Sequence, residues 1–326
     1  MLDITARNVN FAYPEALWRM KILGVEADSR NGRVRRFPGP VATTYMNPTE
    51  RMLLNPRRDA NPFFHIFEGV WMLAGRNDTW TLGLFNQNIG QFSDDGATFH
   101  GAYGHRWRHH FGHDQILWAI ETLKADPNSR RVVLQMFDPV VDQYTRQDAK
   151  DIPCNVSIFF EVDRARLNMT VTNRSNDMIW GCYGANAVHM SMLMEFVANA
   201  LDLTVGHYVQ FSNNLHIYER HFDLLERIDD VTTHVEDTDP HVPITRAGNY
   251  MDDLYELERW STFTPNHWEY DNPYVIYVLE PMLKAWSYYK RDDKMGALES
   301  CELIGDSEVR EACYQWLLRR KWRTQR

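Results

Sequence analysis

The chain has 326 residues, 44% of them hydrophobic, and its 44 acidic against 35 basic side chains give a formal net charge of −9. That length can bury a large core in one domain or two, and the acidic balance argues against a general nucleic-acid binder, whose phosphate contacts need a basic surface. The four cysteines, Cys154, Cys182, Cys301 and Cys313, form no CxxC pair, which argues against a disulfide framework and a cysteine-rich zinc site. The first twenty residues lack a signal-peptide core, and no run of about 18 apolar residues is present to span a bilayer. A reducing, cytoplasmic setting is the expectation.

Residues 62–74 (PFFHIFEGVWMLA) carry apolar groups at helical spacing, with Pro62 in the first turn and Gly75 closing the run. Glu68 breaks that apolar pattern. Residues 131–137 (RVVLQMF), 156–162 (VSIFFEV) and 167–172 (LNMTVT) read as strands, rich in β-branched and aromatic side chains. Residues 186–201 are mostly apolar and predict a buried helix; a strand over 205–212 and a helix over 213–227 follow. Residues 228–275 are acidic and turn-rich, and predict an irregular segment. From about 273 onward the pattern is helical. Strands and helices do not alternate regularly, so a mixed α+β layer fold is expected. Its core would occupy 1–227, with an irregular segment and a helical extension packed on it over 228–326.

Arginines beside serines recur at turns and strand ends, as SRNG (29–32), SRR (129–131) and NRSND (173–177). Singly each is a solvated surface charge; together they are also how a protein builds a fork-shaped phosphate site. Glu68, Tyr103, Asn186, His216 and Tyr218 are polar residues in apolar surroundings. Each fits a satisfied core group, but Glu68 is harder to dismiss, because an unpaired buried carboxylate is costly and its pKa rises toward catalytic use. Cys154 stands in DIPCNVSIFF, either as a small buried hydrophobe or as a nucleophile at the rim of a sheet. The second reading needs an arginine close in space. His100, His105, His109, His110 and His113 are crowded, but they lack a helical HExxH pair, so an exposed histidine-rich turn is expected rather than a metal site.

In chain order, EGVWMLAG (68–75), YGHRWR (103–108), SRRVV (129–133), PCN (153–155), NRSND (173–177) and HIY (216–218) resemble the thymidylate synthase and deoxypyrimidine nucleotide hydroxymethylase superfamily. The resemblance covers roughly residues 20–225. It implies an α+β, thymidylate synthase-like mixed β-sheet layered with helices, acting in folate-dependent one-carbon transfer to C5 of a pyrimidine nucleoside 5'-monophosphate. Cys154 would add to C6 of the pyrimidine. Arg174 would hold the phosphate and lower the thiol pKa, with Ser175 and, from a mobile N-terminal loop, Arg30 on the same phosphate. Arg130 and Arg131 would reach across a homodimer interface to the partner's nucleotide. His216 and Tyr218 would bind the sugar hydroxyl, and Asn186 would read the base at N3 and C4. Glu68 would organise water and proton transfer, Tyr103 would assist proton removal from C5, and Asp177 would bind the pterin of 5,10-methylenetetrahydrofolate. No metal is expected.

Four features depart from the synthase pattern. NIGQFSDD (88–95) has Ile89 or Phe92 where a synthase packs a tryptophan by the exocyclic carbon, and Asn155 stands where a synthase has histidine. GCYGAN (181–186) is one residue longer than the synthase loop, and RRKWRTQR (319–326) replaces a short apolar tail. A synthase must exclude water so that hydride reduces the exocyclic carbon, whereas a hydroxymethylase admits it. The departures favour hydroxymethylation over reductive methylation. Asn186 leans toward dUMP with dCMP open, and a non-catalytic nucleotide-binding relative is the rival from another class.

Overall fold

The computed structural model describes residues 1–144, 148–228, 241–263 and 269–322. β1 (Leu2–Ala6) leads into α1 (Val9–Leu23), whose first turn is capped by the Asn8 side chain accepting from the Asn10 and Phe11 amides. The hairpin β2 (Val25–Ser29) and β3 (Gly32–Arg36) follows, then β4 (Val41–Tyr45). Helix α2 (Pro62–Leu73) starts where Asn61 accepts from the Phe64 amide and is followed by Gly75, whose φ of 70° favours glycine and where a β-carbon would come within 2.6 Å of the His109 ring. α3 (Gln115–Ala125) precedes β5 (Val133–Gln135), β6 (Asn155–Asp163), β7 (Arg166–Asn173) and the short β8 (Asn176–Asp177). α4 (Asn186–Ala200), β9 (Thr204–Ser212) and β10 (Leu215–Tyr218) complete the sheets. α5 (Tyr250–Trp260), α6 (Glu280–Lys290), α7 (Lys294–Glu302) and α8 (Ser307–Leu318) follow.

The strands form a six-stranded mixed sheet, ordered β1-β4-β9-β7-β6-β5, and a four-stranded one, ordered β2-β3-β10-β8. β7 pairs antiparallel with β6, its neighbour in sequence, and parallel with the distant β9, which brings the ends of the three strands together. In β9 half-buried and buried positions alternate after Thr204, the period of a strand with one face on a core. α4 is buried at every position but Asn199, as its all-round apolar composition predicts. It packs against both the sheet and α2.

Three expectations are corrected. The helix expected over 213–227 is instead β10, a 3-10 turn at Glu219–His221 and a short helix at Asp223–Glu226. His216 and Ile217 pair with Arg36 and Arg35, so hydrogen bonding to β3 overrides local helix preference. The strand expected over 131–137 shortens to Val133–Gln135, because Met136 and Phe137 both donate to the Val156 carbonyl and the ladder stops there. Within the segment expected to be irregular, α5 forms; residues 229–240 and 264–268 of that segment lie outside the described residues.

The C-terminal helices cover α2. Phe63 packs tilted against Trp286 of α6 at 5.4 Å and edge-on against Trp316 of α8 at 5.7 Å, and Phe67 meets Trp260 of α5 at 5.3 Å. The Glu308 carboxylate in α8 accepts from the Arg51 and Met52 amides at 3.0 Å each. No helix among the described residues is long and apolar enough to cross a membrane.

Candidate active site

Cys154 lies immediately before β6, half-buried. Its loop is held from three sides. The Tyr103 hydroxyl accepts from the Cys154 amide at 3.2 Å and the Asn155 amide at 3.3 Å. Tyr103 is brought close by Gly104, where any β-carbon would come within 2.0 Å of the Met72 carbonyl oxygen of α2. Asp151 accepts from the Gly101 amide at 2.9 Å. Arg174, just after β7, donates its amide to the Cys154 carbonyl at 2.9 Å, and its guanidinium to Pro153 O at 2.8 Å and Ile152 O at 3.0 Å.

That geometry leaves Arg174 Nη2 at 3.8 Å from Cys154 Sγ. Burial pushes the Cys154 thiol above its ordinary value; Arg174 is the strongest influence pulling it down, Arg30 helps, and Asp151 and Asp177 push it up. The arginine acts on the thiol in the expected direction, and burial outweighs it. Burial also pushes the Tyr103 phenol well above its ordinary range, so Tyr103 is a neutral hydroxyl.

Arg30, in the turn between β2 and β3, donates to the Ala149 carbonyl at 2.8 Å. Ser175 is half-buried beside Arg174. His216 is buried, 3.2 Å from Asn214 Oδ1 and edge-on to Tyr218 at 5.1 Å; it pairs in register with Asp177. Burial lowers the His216 pKa against the pull of Asp177. One Asp177 oxygen accepts from the Ile179 amide at 2.8 Å. Arg130 and Arg131 stand exposed ahead of β5, the outermost strand of its sheet, and no hydrogen bond or ion pair joins them to Cys154 among the described residues.

Glu68 is not the unpaired buried carboxylate expected. It is half-buried, and its Oε2 lies 3.2 Å from His189 Nε2 in α4, out of line for a hydrogen bond. His65 sits behind, edge-on to His189 at 6.2 Å and held neutral by burial. Asn186 opens α4 in an uncharged amide cluster with Asn155, Asn173, Asn176 and Gln210. Met178–Ala185, which holds most of GCYGAN, forms wider π-type turns that lead directly into α4. Asn186, the first residue of α4, reaches Asn155.

The histidine-rich run is tied into the framework. His100 Nε2 lies 2.7 Å from Asp142, His110 Nε2 lies 2.8 Å from Asp138, and buried Arg106 donates to both Asp142 oxygens. No group of histidine, cysteine or acidic residues among those described is arranged to hold a metal ion.

A thiol at the head of a strand, with an arginine beside it and a buried cluster of uncharged amides close by, makes a candidate nucleophile site. The thymidylate synthase family model matches residues 49–260, and the chain belongs to that family of one-carbon transferases. Among similar proteins, a deoxyuridylate hydroxymethyltransferase of Pseudomonas phage M6 is 40% identical over 98% of this chain and 95% of its own. A protein of the same name from Bacillus phage SP01 is 39% identical over 55% of this chain and 49% of its own. A thymidylate synthase of Francisella philomiragia is 29% identical over 48% of this chain and 62% of its own.

Sequence reasoning missed Asp151, His189, Asn173, Asn176 and Gln210. The signal for the last three is carboxamides recurring within or beside apolar strands, where an unmatched amide is costly.

Proposed function

We propose that the chain hydroxymethylates C5 of dUMP, giving 5-hydroxymethyl-dUMP and tetrahydrofolate from dUMP, 5,10-methylenetetrahydrofolate and water. The observation that carries this reading is the 40% identity, across 98% of the chain, to a protein named for that reaction.

Cys154 Sγ adds to C6, which moves the C5–C6 π electrons toward O4 and makes C5 nucleophilic. Arg174 stabilises the thiolate, and its guanidinium, with Arg30 and Ser175, takes the phosphate. Arg130 and Arg131 serve the partner's phosphate in a cytoplasmic homodimer. His216 and Tyr218 hold the sugar hydroxyl and Asn186 reads the base. Glu68, facing a histidine rather than an arginine, orders water and moves protons near C4. Tyr103, its oxygen pinned by two amides, keeps its own proton and orients water for loss of the C5 proton.

Methylenetetrahydrofolate supplies a one-carbon unit at the oxidation level of formaldehyde. The residues present suit it: one Asp177 oxygen is taken by the Ile179 amide, and the other suits the N–H donors of an aminopyrimidine edge. Ile89 or Phe92 stands where a synthase has tryptophan; Ile89 is half-buried and Phe92 is 53% exposed, and the lack of a tryptophan favours access of water to the new exocyclic carbon.

Incubation with methylenetetrahydrofolate and each of dUMP, dCMP, UMP and CMP, followed by product mass, tests this reading. A hydroxymethyl product from dUMP is expected. A methyl product with dihydrofolate, or no turnover of any nucleotide, contradicts it.

A further inference from the structure

Four asparagines close a hydrogen-bonded ring beside Cys154. Asn155 Nδ2 donates to Asn186 Oδ1 at 3.2 Å, Asn186 Nδ2 to Asn176 Oδ1 at 3.3 Å, and Asn176 Nδ2 to Asn173 Oδ1 at 3.3 Å. Asn173 Nδ2 donates to Asn155 Oδ1 and completes the cycle. All four side chains are buried, none more than 7% exposed. Each amide donates forward and accepts from behind. Such a ring taken alone has two equivalent senses, related by flipping all four amides.

Gln210, fully buried in β9, makes them unequal. Its Nε2 donates to the Cys182 carbonyl at 3.0 Å. A backbone carbonyl is only an acceptor, so the glutamine amide cannot turn over without losing this bond. Its Oε1 is thereby aimed at the ring, where it accepts from Asn176 Nδ2 at 2.8 Å and Asn186 Nδ2 at 3.2 Å. In the reversed sense both asparagines would turn oxygen onto that oxygen. Two hydrogen bonds would become two repulsive contacts in a buried site.

The chosen sense decides what Asn186 offers a base. Its two Nδ2 hydrogens already face three acceptors, on Gln210, Asn176 and Asn155. Its Oδ1 accepts from Asn155 and retains a lone pair. Asn186 therefore meets N3 as an acceptor. Uracil carries hydrogen on N3, whereas cytosine presents a lone pair there at neutral pH. We propose that Gln210, through the sense it imposes on this ring, is the positioning residue that makes the site prefer uracil over cytosine.

The inference rests on reading Asn186 as the base reader, and its test separates the two. The measurement is kcat/KM for dUMP and for dCMP, with Tm recorded for each variant. Gln210→Met keeps the side-chain length and removes the anchor; the dUMP preference should fall by about tenfold or more. An unchanged preference in a folded Gln210→Met enzyme overturns the inference. Gln210→Glu supplies a second readout, and it decides if the methionine variant does not fold. Protonated or ionised, the glutamate keeps an oxygen that accepts from Asn176 and Asn186, so the ring keeps its sense. Its dUMP preference should therefore stay close to the wild type's, and a preference that falls as far as expected for a variant without the acceptor overturns the inference. Wild-type enzyme that turns over neither nucleotide overturns the functional reading itself.

Discussion

Arg174 Nη2 lies 3.8 Å from Cys154 Sγ while the same guanidinium is bonded to the carbonyls of Pro153 and Ile152. The loop that carries the thiol is thus folded around its own counter-charge. Burial still holds the thiol above its ordinary value. The rate of alkylation of Cys154 by iodoacetamide should therefore rise with pH at a higher midpoint than for a free cysteine. Gln in place of Arg174 should move that midpoint further up and lower kcat/KM for dUMP by roughly a hundredfold, the scale of a lost charge-assisted hydrogen bond. A midpoint that does not move would remove Arg174 from the account of the thiol.

The Tyr103 hydroxyl accepts from two successive amides, Cys154 and Asn155. Tyr103→Phe leaves both donors unmatched next to the nucleophile. An unsatisfied buried donor costs about 1–3 kcal/mol, so kcat should fall about tenfold to a hundredfold with KM for dUMP changing less. Steady-state kinetics at saturating folate would show it.

His241 bridges two buried carboxylates, 2.8 Å from Glu195 and 2.8 Å from Asp306. Although burial pulls the other way, Glu195 and Asp306 raise its pKa from 6.5 to about 10. The folded state binds this proton more tightly than the unfolded state, so the stabilisation is full below about pH 6.5 and is lost as pH rises through about 10. Glu195 is buried, but Arg51 and His241 hold its pKa down at about 2, so its contribution is present above about pH 4.5 and is lost as pH falls through 2. Tm should therefore decline between neutral pH and pH 10 in the wild type, and decline less in His241→Gln. Parallel curves for the two would contradict this pairing.

Phe63 is fully buried between Trp286 and Trp316. Phe63→Ala should cost about 3–5 kcal/mol through lost burial and the cavity left behind. Denaturant unfolding would measure it, with a drop in midpoint at unchanged slope. A loss below about 1 kcal/mol would mean that the C-terminal helices do not depend on this contact.

The elements legible in the sequence are those whose own residues carry the signal. α2, α4, β6, β7 and β9 each sit within a residue or two of the expected bounds, because apolar spacing and cap residues are local. β10 was not legible, since its strand character comes from pairing with β3. α5 was hidden by its acidic composition, although Leu254, Leu257 and Trp260 bury one helical face. Cys154, Arg174 and Tyr103 were readable as motif residues, but the balance of burial against charge at the thiol was not, because it depends on the whole surroundings. The asparagine ring draws its four members from positions 155, 173, 176 and 186 and its anchor from 210. The β6-β7-β9 pairing, the short β8 and the start of α4 together bring them into contact.

The central claim is that water, rather than hydride, completes the reaction at the exocyclic carbon. The most direct measurement is turnover of dUMP with methylenetetrahydrofolate in heavy-oxygen water, with the nucleotide product weighed by mass spectrometry. The account predicts a hydroxymethyl product carrying one solvent-derived heavy oxygen, formed together with tetrahydrofolate. An unlabelled methyl product accompanied by dihydrofolate would contradict it.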